Sequence, residues 1–124
     1  MKKLLPLLLI SAAAMAAGAS ATAQTTDFPE GAQPLTPEAL REALTGKVFS
    51  ITPAKGSTWR WEFKGNGYFF LNAGSFSDSG KWSTKESSVC QDTGKNMGCN
   101  EMRQKDGTLY LKRDSGEIVT FKPQ

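Results

Sequence analysis

Few residues of this chain could do chemistry: two cysteines, twelve carboxylates and no histidine. Without imidazole there is no Ser-His or Cys-His nucleophilic pair and no imidazole metal ligand. A pair of carboxylates could still act as general acid and base, as in glycoside hydrolysis. However, Asp78, Asp106 and Asp114 stand among turn residues, and Glu62 alternates outward from a tryptophan face. Gly65, Gly67, Gly107 and Gly116 are spaced as hairpin turns and not as a phosphate-cradling loop ahead of a helix. The pattern predicts a protein without catalysis, cofactor or metal. Cys90 and Cys99 have eight residues between them, which fits neither a CxxC redox motif nor a metal knuckle. In an exported chain such a pair is a disulfide. Closing so short a loop stabilises by about 2–3 kcal/mol on the chain-entropy model.

Export is read from the start of the chain. Lys2-Lys3, the apolar run Leu4 to Ile10 and the Ala-rich stretch to Ala21-Thr22-Ala23 have the three parts of a secretory signal over residues 1–23. No cysteine stands at the cleavage region, so no acylated or other stable membrane anchor is expected after cleavage. The expected location is periplasmic or secreted. Without Lys2 and Lys3 the 15 basic residues fall to 13 against 12 acidic ones, a net charge of +1. That balance does not support a nucleic-acid partner. Arg103, Lys105, Lys112 and Arg113 bracket one hairpin and read as a solvated edge, where Lys discourages strand addition.

What would position these residues is a small all-β domain. Residues 24–34 read as a flexible leader, and residues 35–124 as one domain. The domain starts with a short helix: Thr36 suits the N-cap, Pro37 the first turn and Gly46 the residue after the C-cap. Leu35 and Leu40 sit at the positions of a hydrophobic staple. A helix this short does not persist alone in water, so its Leu40, Ala43 and Leu44 stripe must lie on the β-structure.

The stretch Trp59–Leu71 holds half of the aromatic residues. Trp59, Trp61 and Phe63 alternate with Arg60, Glu62 and Lys64, the period-2 mark of a strand with one buried face. Asn66-Gly67 suits a type I′ hairpin turn. Strand signals recur at Val48–Thr52, Gly80–Thr84, Ser87–Gln91, Cys99–Gln104, Thr108–Lys112 and Glu117–Lys122, with Asn72–Ser79 as a polar loop. Eight short strands joined mostly by tight turns predict a mainly β, up-and-down antiparallel barrel. Its expected core is Phe49, Ile51, Trp59, Trp61, Phe63, Trp82, Leu109 and Leu111.

Tyr68-Phe69-Phe70-Leu71 stands out, because alternation buries only two of the four. A two-residue turn at Asn66-Gly67 places Phe70 opposite Phe63, and a three-residue turn places Phe69 there. The other pair lies either under the helix or on an exposed apolar surface, for which Phe69, Leu71 and Phe76 are the candidate residues. The leading functional expectation is a binding module of the cell envelope acting through protein contacts, inhibition of a cell-wall hydrolase being one version. The alternatives are a carrier of a small hydrophobic ligand and a structural or stress-related envelope protein.

The layout resembles that of small exported bacterial proteins to which no activity is assigned. The parts that carry the resemblance are the signal, Leu35–Leu40, Gly46-Lys47, Trp59–Leu71, Gly80-Lys81-Trp82, Cys90, Cys99 and Thr108–Phe121. It implies a lipocalin-like barrel, and Gly80-x-Trp82 is itself similar to the lipocalin Gly-x-Trp. Gly98-Cys99-Asn100 and Leu109–Phe121 resemble, more weakly, META-type envelope domains.

Overall fold

Pairing of neighbours in sequence builds almost the whole molecule. The structure, a computed structural model, describes residues 25–124; the signal expected over residues 1–23 lies outside them. Strand β1 (Gln33–Pro34) and helix α1 (Pro37–Leu44) precede eight longer strands. These are β2 (Lys47–Ile51), β3 (Trp59–Phe63), β4 (Tyr68–Ala73), β5 (Phe76–Lys85), β6 (Ser88–Asp92), β7 (Met97–Lys105), β8 (Thr108–Lys112) and β9 (Ile118–Pro123). Each pairs antiparallel with the next, and β9 returns to β2 through Ser50↔Lys122 and Phe49↔Pro123. The sheet is therefore a closed, eight-stranded, up-and-down barrel.

Alternation along the strands fills the interior. Phe49, Trp61, Phe63, Trp82 and Phe121 form its aromatic centre, with Trp61 and Phe63 stacked at 5.2 Å between ring centres. Phe63 meets Trp82 edge-on at 5.2 Å, and Phe121 lies 5.1 Å from Phe49. Ile51, Leu109 and Leu111 are buried beside them, while Trp59 is half-buried.

One end of the barrel is plugged by α1. The Thr36 Oγ1 accepts the Ala39 N–H at 3.1 Å, Pro37 opens the first turn, and Gly46 leaves the helix at φ +74°. Leu40 and Leu44 are wholly buried against the core. Polar contacts seat the helix on the rim: Gly46 N–H donates to the Phe63 carbonyl at 2.7 Å, and the Thr84 hydroxyl to that of Pro37 at 2.9 Å. The helix does not cover the outer face of β4, where Tyr68 and Phe70 are 45% and 42% exposed.

Three expectations are corrected. The β3–β4 turn is a three-residue one: Lys64 N–H donates to the Tyr68 carbonyl at 2.8 Å, and only Gly67 takes positive φ, at +93°. That is the type I turn with a glycine bulge, not type I′, and Phe63 pairs with Phe69. A shift of one residue exchanges the two faces, so Phe69 is buried and Leu71 half-buried against the core, not on an outer surface. Asn72–Ser79 is no loop, because β4 and β5 run on to Ala73↔Phe76 and turn at Gly74-Ser75. The stretch read as a flexible leader is docked. Gln33 and Pro34 pair with Gln104 and Arg103, the Arg103 guanidinium lies 4.7 Å from the Phe28 ring centre, and Thr25 accepts the Ile118 N–H at 2.7 Å.

Candidate ligand site at the barrel mouth

Strand polarity separates the two ends. At the plugged end stand Lys47, Phe63 and Lys85; at the other stand Ile51, Trp59, Ala73 and Asp92. Among the described residues no helix covers this second end. Inside its rim lies an open pocket of about 210 Å³. Its apolar wall is Trp59 and Trp61 from β3, Leu71 from β4 and Leu111 from β8. Its polar side is Gln91 from β6, Asn100 from β7 and the turn residues Arg113, Asp114 and Ser115.

The polar side chains are fixed in different ways. Asn100 Nδ2 donates to the Lys112 carbonyl at 3.1 Å and to Asp114 Oδ1 at 3.0 Å, which leaves its own oxygen as an acceptor. Arg113 is held twice. Its guanidinium lies 4.6 Å from the Trp59 ring centre, a cation–π distance, and its Nη1 donates to Glu117 Oε1 at 2.6 Å. Glu117 is 4% exposed, and its Oε2 accepts the Ala54 N–H at 2.8 Å. Burial pushes the Glu117 carboxyl up, but the Ala54 hydrogen bond, the Arg113 hydrogen bond and the Arg113 charge outweigh it and hold it below its usual value. The turn that carries these groups is closed by Arg113 and Glu117 backbone pairing at 2.8 Å and by Gly116 at φ +97°.

One buried donor is left over among the described residues. Trp61 is only 3% exposed, yet its Nε1–H has no acceptor among the described residues. The half-buried Gln91 makes no side-chain hydrogen bond among them either, but its amide reaches solvent. A buried donor without a partner costs about 1–3 kcal/mol. Trp82, by contrast, donates its Nε1–H to the Lys64 carbonyl at 3.0 Å.

No protein-family model, curated protein or solved structure matches this chain. The site therefore stands on its own geometry. Among the described residues no three His, Cys, Asp or Glu side chains gather to hold a metal ion, and no helix is long and apolar enough to cross a membrane.

Of the residues singled out in the sequence, Trp59, Trp61, Leu71 and Leu111 come together on the pocket wall. Phe76 stands apart at the rim, 56% exposed. Cys90 and Cys99 are bonded, directly opposite each other in the β6–β7 register with Cα atoms 4.0 Å apart. That bond is consistent with an oxidising, exported setting. Gln91 and Asn100 each follow a bridged cysteine, so alternation sends them to the other face of the sheet, toward the barrel interior. The sequence reading missed them, although their place beside the cysteines was a usable signal. It also missed Ser115, and it read Arg113 as part of a solvated edge, whereas Arg113 lines the pocket and is held by Glu117.

Proposed function

We propose that the protein binds a small ligand in the open mouth of its half-plugged barrel. The observation that carries this reading is the pocket itself. The barrel is packed solid from the helix to Trp61, and the remaining space is lined by side chains drawn from five strands and one turn. Ligand sites of this kind combine an apolar wall with a few directed polar groups. The unpartnered Trp61 Nε1–H supports the reading, because a bound acceptor would satisfy it. The chain's three tryptophans report on it directly. In ¹⁵N-labelled protein, a panel of hydroxylated and apolar single-ring compounds should contain one that shifts the Trp59 and Trp61 indole N–H signals saturably. The Trp82 signal should move less. Silence of both signals across the panel refutes the reading.

A second reading rests on a different face. Tyr68 and Phe70 lie exposed side by side on β4, flanked by Lys64, whose ammonium is 5.8 Å from the Phe70 ring centre. Such a patch supports the expectation of an envelope protein acting through protein contacts. Retention of envelope proteins on immobilised wild type should then be lost with Tyr68→Ser/Phe70→Ser. Equal retention by both proteins would dismiss it.

A further inference from the structure

We infer that the occupant of the mouth is a neutral ring of monosaccharide size bearing several hydroxyls; the inference rests on the reading of the mouth as a ligand site. Size sets the first limit. An apolar cavity of about 150 Å³ holds one benzene molecule, so a pocket of about 210 Å³ has room for one ring with short substituents.

Charge sets the second limit. The one cation on the wall, Arg113, is already matched by Glu117 at 2.6 Å, and the Asp114 carboxylate is engaged by Asn100 at 3.0 Å. Asn100 is a neutral amide, so the exposed Asp114 keeps its negative charge against water, and among the described residues the lining holds no free cation to receive an anion. Burying an anion beside that carboxylate without a partner is costly, so the site favours a neutral ligand over an anionic one.

Hydrogen-bonding capacity decides between an apolar ring and a hydroxylated one. Five of the lining side chains, Gln91, Asn100, Arg113, Asp114 and Ser115, keep capacity beyond the bonds already described. Gln91 offers an amide with both donor and acceptor, Asn100 its carbonyl oxygen, and Ser115 its hydroxyl proton. A purely apolar ring would strip water from those it covers and return nothing. A hydroxylated ring returns a donor and an acceptor at every hydroxyl. Its C–H faces pack on Trp59, Leu71 and Leu111, and one oxygen can serve the Trp61 indole. Both sides of the wall are then used by one molecule.

The test follows the three indole N–H signals of the purified protein during titration with glucose, galactose and N-acetylglucosamine, and separately with toluene, cyclohexanol and glucuronate. The expected result is a saturable shift of the Trp59 and Trp61 signals with at least one neutral sugar and none with toluene. Gln91→Leu should weaken that sugar about tenfold or more. If Gln91→Leu loses the dispersed indole signals of the folded protein, Ser115→Ala in the exposed turn replaces it, with an expected weakening of threefold or more. A shift with toluene or cyclohexanol and none with the sugars overturns this inference and leaves the ligand site standing. A preference for glucuronate over glucose overturns the neutral assignment. Unmoved signals with every compound overturn both the inference and the site.

Discussion

Replacing Glu117 with Gln tests how the mouth is braced. The carboxylate takes the Arg113 guanidinium at 2.6 Å on one oxygen and the Ala54 N–H at 2.8 Å on the other. Gln has nearly the same shape and keeps an acceptor for Ala54, so the change removes mainly the negative charge that Arg113 faces. A hydrogen bond to a charged group contributes about 1.5–3 kcal/mol. The Arg113 side chain is 35% exposed, so water recovers part of the loss. The expected cost is therefore about 1–2 kcal/mol, or about 4–8 °C of melting midpoint per kcal/mol in a domain of this size.

The pH dependence has a definite sign. The folded pKa of Glu117 is held below its unfolded value, which is about 4.3. The carboxylate's contribution is then complete above the unfolded pKa and lost as pH falls through the folded one. Thermal unfolding followed by far-ultraviolet circular dichroism at a series of pH values would measure it. The gap between wild type and Glu117→Gln should be full at neutral pH and close on acidification. Equal midpoints at neutral pH, or a gap that stays constant into acid, would refute the reasoning.

The register of the β3–β4 hairpin predicts opposite fates for neighbouring residues. Phe69→Ala should cost about 3–5 kcal/mol and Phe70→Ala under about 1 kcal/mol, as read from denaturant unfolding; the reverse order would mean that the hairpin is slipped by one. Replacing both Leu40 and Leu44 with Ser should unplug the barrel, since each buried leucine contributes about 1.5–3 kcal/mol. Binding of a hydrophobic dye with β-type circular dichroism retained is the expected signature, and wild-type dye response would show that the helix is not a plug. At Gly80 an added Cβ would fall on the Asp92 carbonyl oxygen and 2.9 Å from Thr93 Cα, with only backbone to give way. Gly80→Ala should therefore cost about 1–3 kcal/mol, and an unchanged midpoint would contradict the close approach of β5 and β6.

The helix and the core were legible in the sequence because their signals are local. Thr36, Pro37 and Gly46 punctuate α1, and Phe49, Trp61, Phe63, Leu109 and Leu111 follow the period of a one-sided strand. The β3–β4 register was not, because Asn66-Gly67 suits a turn of either length and the two differ only in whether Asn66 takes positive φ. The β4–β5 strands were hidden by polarity. Asn72 and Ser77 pair across the outer face, with the Ser77 hydroxyl 3.0 Å from Asn72 Oδ1, and a sheet wet on one side needs no apolar residue there. The mouth was illegible for a different reason. Trp59, Gln91, Asn100 and Arg113 are far apart in the chain, and only closure of the barrel brings them to one pocket.

That closure has a consequence for how the molecule forms. Seven of the eight seams join strands adjacent in sequence and can zip as local hairpins. The eighth joins Ser50 to Lys122 and Val48 to Gln124, whose N–H donates to the Val48 carbonyl at 2.9 Å. Until this seam closes, β2 and β9 are bare margins of one curved sheet, each able to recruit a strand from another molecule. The rate at which this long-range seam forms, set against the rate of encounter between chains, decides between monomer and aggregate. Slowing that one step, by weakening the Ser50–Lys122 pairing, should lower refolding yield at high concentration far more than at low, with the hairpins themselves untouched.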